Sequence, residues 1–296
     1  MPALVGVASM ATVGCKPEIR HVVLITLDTT RADRLGCYGN EDGLTPNIDA
    51  LASRGVVFSQ VTSPVPTTLS AHTSIMTGSY PQTHGVVRNG FMVNQDNVMM
   101  AEVFQQAGWK TSAVLGSFAL ESRFDLDQGF DDFNEEFDLG VENGRDQNQR
   151  SATGVTDAAL SQLREIQDAN SFSFFHYFDP HLPYEAPKEF VARFALDGAP
   201  EKVSDQDIND RIFELQKDIL GVGLGLNKVV MNGLPPQLLD QATGQPAPLD
   251  LMYASMYAAE VAYMDQEIGR LIEGLEESGQ LKHTLLIITG DHGETF

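Results

Sequence analysis

Residues able to bind a cation or move a proton stand just behind three short apolar runs in this chain. Asp28 follows His21–Leu27 (HVVLITL), Asp179 and His181 follow Phe172–Phe178 (FSFFHYF), and Asp291 and His292 follow Leu285–Thr289 (LLIIT). Carboxylate oxygens and imidazole nitrogens together form a donor set for a hard-to-borderline divalent cation. Runs this short, rich in Val, Ile, Phe and Tyr, are expected to be strands buried on both faces of a parallel sheet. In open α/β sheets ligands bind beyond the carboxyl ends of the strands. The pattern therefore gathers these residues at one edge. Any single Asp so placed would serve equally to start a turn or cap a helix. Three strand ends with the same property argue for a site.

The rest of the chain supplies elements to hold that edge. Thr45, Pro46 and Gly55 are N-cap, first-turn and stop signals for a short helix. A short strand is expected over Val56–Val61, then a helix from Leu69 to Met76 ended by Gly78. A further helix, Met99–Gln106, closes at Gly108, and Thr111–Leu115 reads as another strand. Residues 135–152 are polar and acidic, as in a surface excursion, and Thr156–Ile166 reads as a helix. Residues 186–250 have the composition of an insertion or a substrate-facing lid. The helix Tyr253–Ser278 carries Met264, Ile268, Leu271, Ile272 and Leu275 on one apolar face and ends at Gly279. Alternating strand and helix signals make the class α/β.

At 296 residues and 42% hydrophobic content, the chain is globular and large enough for a substantial core. Its 19 basic and 41 acidic residues give a net charge of −22. That balance argues against nucleic acid or an anionic membrane as a general partner. An enzyme this acidic that acts on anionic esters needs a local positive charge, which a metal ion supplies. Two cysteines, Cys15 and Cys37, are too few for a disulfide framework.

Cys15 follows the apolar stretch Ala3–Gly14 (ALVGVASMATVG), a pattern resembling the tail of a bacterial lipoprotein export signal. No Lys or Arg precedes it, however, and Thr12 stands where Leu is usual. Residues 1–20 are therefore either an export signal remnant, with a lipid anchor at Cys15, or an ordinary disordered terminus. The first reading places the protein in the periplasm or at the cell surface, the second in the cytoplasm. No segment is long enough to span a bilayer. The chain stops at Phe296, four residues after His292. With no helix to cover the last strand, truncation at the C-terminus is expected.

The stretches LITLDTTRADRLGCYG, TPNIDALASRGVVF, HTSIMTGSYPQTHGV, LDQGFDDF, HYFDPHLPY, YAAEVAYMDQEIGRLIEGLEESG and TGDHGE together resemble the sulfatase family of the alkaline phosphatase superfamily. They occur in the family's order across most of residues 21–295. The resemblance implies one catalytic domain over residues 21–296, an α/β sandwich around a central, mostly parallel mixed sheet with helices on both faces. It implies metal-dependent hydrolysis of a sulfate or phosphate ester through a covalent enzyme intermediate. Family members run longer, with further active-site residues in their C-terminal part.

Within this resemblance Asp28, Asp291 and His292 fall on metal ligands, the cation being Ca, Mg, Mn or Zn. Thr29 stands where members usually carry a second Asp. Counting back from Thr77-Gly78 places Thr68 at the nucleophile position, where formylglycine sulfatases carry Cys or Ser. A Thr cannot be oxidised to formylglycine, so no formylglycine is expected. The family's following Arg is His72, and its Lys and His fall on Ser117 and Ala119. TLSAHTSIMTGSYPQTHG is also close to the nucleophile segment of nucleotide pyrophosphatase/phosphodiesterases, in which a Thr hydroxyl attacks phosphorus. Thr68 further sits at an expected helix N-terminus, which favours an anion. Thr67 and Ser70 remain rival nucleophiles, and Thr68 could act only as an N-cap. Asp179 and His181 match a position near the leaving or transferred group, where His181 could donate a proton. His72 could contact a substrate oxygen or pack beside the helix. His84 and Asp265 are expected to be structural, and Asp33 to orient Arg31 or Arg34.

The activity expected is hydrolysis of a small-molecule or glycan sulfate or phosphate ester on Thr68. A phosphodiesterase or phospho-headgroup transferase of the same superfamily is the neighbouring alternative. A degenerate, non-catalytic binding protein is the alternative from another class.

Overall fold

The computed structural model describes residues 18–142, 145–195 and 248–294. The possible export segment and Cys15 lie outside the described residues, as does most of the expected insertion or lid. In chain order the elements are β1 (His21–Leu27), α1 (Pro46–Ala52), α2 (Thr68–Thr77), α3 (Pro81–His84), α4 (Met100–Gln106), β2 (Lys110–Val114) and β3 (Asp132–Asn134). They continue with β4 (Asp138–Glu142), β5 (Arg145–Gln149), α5 (Ala152–Glu165), β6 (Ser171–Tyr177), α6 (Lys188–Phe194), α7 (Pro248–Glu277) and β7 (Thr284–Gly290). Single 3₁₀ turns link several of these.

Five strands form one sheet in the order β3-β2-β6-β1-β7, and every pairing in it is parallel. Antiparallel pairing among the described residues is found in the separate ribbon β4–β5, which occupies the polar stretch read as a surface excursion, and in a single bridge between Ser117 and Gln149. β1 is central. Its Leu27 is in register with Tyr177 of β6 on one side and Gly290 of β7 on the other. The three strands thus end at one level, as their sequences require if Asp28, Asp179 and Asp291 are to share an edge.

Side chains along a strand alternate between faces, and each face has its own core. Val23, Ile25 and Leu27 of β1, with Phe175 and Tyr177 of β6, pack with α5 and with Met264, Ile268 and Leu271 of α7. Val22 and Leu24, with Phe172 and Phe174, pack on the opposite side with Leu69 and Met76 of α2 and with Ala101 of α4. Each large side chain so buried contributes about 1.5–3 kcal/mol. The alternation has a consequence for chemistry. Thr26 and His176, register partners on β1 and β6, both point to the α2 side.

Two local expectations are corrected. No strand forms over Val56–Val61; Val56 and Phe58 are 80% and 67% exposed. The stretch pairs with neither sheet, although β3 and β7 are edge strands, and its side chains lie largely in solvent. Thr45 sits at the N-cap position of α1, yet its side chain makes no capping bond. Its hydroxyl instead accepts from Gly36 N and donates to Asp49. The orphan amides of α1 go to a charged acceptor on α7, Asp265, which makes the stronger bonds. Gly269, one turn further along α7, permits this approach, because an added Cβ would lie 2.5 Å from Asn47 Cγ.

Candidate active site

The end of β1 meets the end of β7 through backbone and side chain. Asp28 N donates to Tyr177 O, and Asp291 N to Leu27 O. Asp28 and Asp291 are 0% and 1% exposed, and the His292 side chain 11%. Ligand atoms of these three residues all lie within 4.8 Å of one another. His292 Nε2 stands 3.5 Å from Asp291 Oδ2 and 3.9 Å from Asp28 Oδ1.

Each of the three has one polar atom engaged and one without a partner. Asp291 Oδ1 accepts from the N–H groups of Thr29 (3.0 Å) and His292 (2.6 Å), whereas Oδ2 is buried and unpartnered. Asp28 Oδ2 faces His176 Nε2 at 3.2 Å, and Oδ1 is buried and unpartnered. His292 Nδ1 donates to Gly293 O at 3.0 Å, leaving an unpartnered Nε2 lone pair. Burial and the nearby Asp28 push the Asp291 carboxyl up to about 6. Two buried carboxylates and an imidazole nitrogen, their free lone pairs converging, fit a divalent cation in donor type, charge and burial.

Thr29, between β1 and the loop, has φ +48°, unusual for a β-branched residue. It is clamped there: its N–H bonds to Asp291, and its carbonyl accepts from Tyr257 of α7 at 2.9 Å. The same Tyr257 oxygen accepts from Arg31 N. Asp33 pairs through both oxygens with Arg31, as one of the two sequence alternatives had it.

The first turn of α2 abuts this cluster. Thr68 is the first helical residue and is 4% exposed. His72, one turn on, is wholly buried; Nδ1 bonds to Thr68 O at 2.7 Å and Nε2 to Thr26 Oγ1 at 2.8 Å. Its Nδ1 also lies 3.7 Å from Asp291 Oδ2. With both nitrogens engaged, His72 faces the helix and the strand, and it ties the Thr68 carbonyl to the cation-ligand cluster. Burial lowers its pKa to about 4, so the ring is neutral. Of the rival hydroxyls, Ser70 is engaged with Val86 O at 2.5 Å, whereas Thr67 Oγ1 is buried without a partner. Asn89 Oδ1 accepts from Leu69 N and anchors the start of the helix.

His181 is half-buried in the loop after β6, stacked on Phe178 with centroids 4.4 Å apart. Its Nδ1 donates to Leu182 O at 2.6 Å. Asp179, expected beside it facing substrate, instead turns inward. Its carboxyl is buried against Glu260 of α7. Ser117 caps a 3₁₀ turn by accepting from Ala119 N, so neither position supplies a charge. His84 bonds to Ser74 and Val86 and is structural. Sequence reasoning passed over Thr26 and His176 because both sit inside apolar runs. The one available signal was an imidazole in the middle of an otherwise apolar, Phe-rich strand.

The sulfatase family profile matches residues 20–296, nearly the whole chain. The chain belongs to the sulfatase family. An arylsulfatase of Clostridium perfringens is 24% identical to this sulfatase-family chain, over 93% of it and 63% of the relative. An N-acetylglucosamine-6-O-sulfatase of Bacteroides thetaiotaomicron is 23% identical over 92% of it and 58% of the relative. The chain thus spans less than two thirds of the length of these curated relatives. A solved structure of the yidJ protein from Bacteroides fragilis superposes with a TM-score of 0.65 at 20% identity. The superposition covers 94% of this chain and 62% of that one, and supports the alkaline phosphatase-like α/β fold.

Proposed function

We propose that this sulfatase-family chain carries the metal and nucleophile parts of an enzyme that hydrolyses sulfate or phosphate esters through a covalent intermediate on Thr68. The observation that carries the reading is the convergence of three unpartnered buried ligand atoms, on Asp28, Asp291 and His292, beside the first turn of α2. A divalent cation held by these residues supplies positive charge to the anionic group being transferred. In a chain of net charge −22, that charge must be local.

The chain's own residues account for the remaining roles. Thr68 Oγ bonds to sulfur or phosphorus as the bridging ester bond breaks. His181, in its protonated form, gives its proton to the departing alcohol oxygen while the Thr68 proton passes to solvent. Water then cleaves the Thr68 ester, restores the hydroxyl and returns a proton to His181. His72 acts by position, holding the Thr68 carbonyl to Thr26 and to the cluster. The Bacteroides thetaiotaomicron relative, by its name an N-acetylglucosamine-6-O-sulfatase, supports a sulfated sugar as the substrate class. The Thr at the nucleophile position favours phosphoryl transfer, to water or to another alcohol, as the second reading.

Assay of the purified protein against aryl sulfate, phosphate monoester and phosphodiester substrates separates these chemistries. Thr68→Ala is expected to lower turnover at least about a thousandfold, and Thr68→Ser to retain part of it. An added alcohol that captures the transferred group ahead of water identifies a transferase. Turnover indifferent to Thr68→Ala sinks the mechanism.

A further inference from the structure

We propose that His176 is a positioning residue that makes Asp28 a one-oxygen ligand and thereby sets which divalent cation the site prefers. The inference rests on the reading of Asp28, Asp291 and His292 as a cation site and deepens it.

His176 lies inside β6 and is 0% exposed. Its Nε2 is 3.2 Å from Asp28 Oδ2. A carboxylate only accepts, so Nε2 carries the hydrogen. Nδ1, the remaining ring nitrogen, is buried and has no partner among the described residues. An unsatisfied buried acceptor costs about 1–3 kcal/mol. A phenyl ring, as at Phe172, Phe174 and Phe175 of the same strand, would avoid that cost. What the imidazole adds is the bond to Asp28.

The ring cannot swing away. It meets His72 edge-to-face with centroids 4.9 Å apart, and His72 is itself held by Thr26 and by the Thr68 carbonyl. With Oδ2 engaged, Asp28 presents Oδ1 alone. Asp291 is restricted in the same way by two backbone N–H groups and presents Oδ2 alone. Two single oxygens and the His292 nitrogen form a compact donor set. Single oxygens beside an imidazole nitrogen suit a cation with affinity for imidazole, such as Zn²⁺. Ca²⁺ gathers about six to eight oxygens and readily takes both from one carboxylate. Released from His176, Asp28 could turn both oxygens inward and favour Ca²⁺.

The test is calorimetric titration of metal-free protein with Zn²⁺ and with Ca²⁺ in the wild type, His176→Phe and His176→Gln. His176→Phe is expected to weaken Zn²⁺ binding about 10- to 100-fold. Ca²⁺ binding should change less, so the Zn²⁺/Ca²⁺ affinity ratio falls, and Gln, which keeps an N–H donor, should recover much of it. Imidazole nitrogen NMR of the metal-free wild type, independent of how the variants fold, is expected to show His176 with its hydrogen on Nε2. An unchanged affinity ratio in His176→Phe, or a hydrogen on Nδ1, overturns the role of His176 and leaves the cation site standing. A wild type that takes up neither ion overturns the cation site itself.

Discussion

Asp179, in the loop after β6, and Glu260, on α7, bury their carboxyl groups beside each other, and among the described residues Asp179 Oδ2 and Glu260 Oε2 are both buried without a hydrogen-bond partner. The contact joins the loop that carries His181 to the longest helix of the fold. Glu260 also accepts from the backbone of Glu185, so it grips that loop at a second point. Neighbouring carboxyls in a buried setting do not both ionise readily, so the pair retains a proton. Burial drives both groups up, Asp179 to about 6, and the charges of Asp179 and Glu267 add to it.

The pair should therefore make stability depend on pH. The folded protein holds a proton that the unfolded chain, with carboxyls near 4, releases. The contribution of Asp179 is full below about pH 4 and is lost as pH rises through about 6, and that of Glu260, which is raised as well, is likewise lost with rising pH. Glu260→Gln supplies an amide donor to Asp179 without needing a proton. The melting temperature of Glu260→Gln minus that of the wild type should accordingly grow, by a few degrees, between about pH 4.5 and 7. A difference that stays constant across that range contradicts the shared proton.

Asp265 should matter to folding far more than to chemistry. Its oxygens accept from Asn47 N, Asn47 Nδ2 and Ile48 N at 2.9–3.0 Å, fastening α1 to α7. Asp265→Ala leaves those donors without an acceptor and is expected to cost about 2–3 kcal/mol. Asp265→Asn should cost less, since one acceptor oxygen remains. Urea midpoints with unchanged slope would measure both. A loss under about 0.5 kcal/mol for Asp265→Ala, the range of an ordinary surface change, would show that α1 is held by packing alone.

The cation site should trade stability for binding. In metal-free protein the buried Asp28 and Asp291 repel each other, and Asp291→Asn removes that repulsion. The variant is expected to melt higher than the metal-free wild type. It should lose the wild type's further rise on adding Zn²⁺ or Ca²⁺, a rise worth about 2.7 kcal/mol at a hundredfold excess over Kd. A variant that melts lower than metal-free wild type, or still responds fully to the ion, contradicts the assigned geometry.

Much of this site can be read from residue order alone. HVVLITL and FSFFHYF form strands buried on both faces. LLIIT forms the edge strand β7, with Leu285 and Ile287 48% and 39% exposed because no strand or helix among the described residues covers that side. All three are parallel and bring their carboxyl ends together. That places Asp28, Asp179 and Asp291 at one edge; the choice of Asp28, Asp291 and His292 as ligands and of Thr68 as nucleophile came with the resemblance to the sulfatase family. The exposed Val56–Val61 stretch forms no strand because apolar composition alone does not bring a segment alongside a sheet edge.

What remained for the tertiary structure was the partner of each polar atom. The register of β6 against β1 sets His176 beside Thr26 and one step from Asp28, which decides the oxygen that Asp28 keeps free. The packing of α7 against the loop after β6 buries Asp179 beside Glu260. Such pairings join residues about 80 to 150 positions apart. Strand periodicity determines which face a side chain takes. Only packed elements determine what it meets there, because hydrogen bonds in a buried site depend on separations of a few tenths of an ångström.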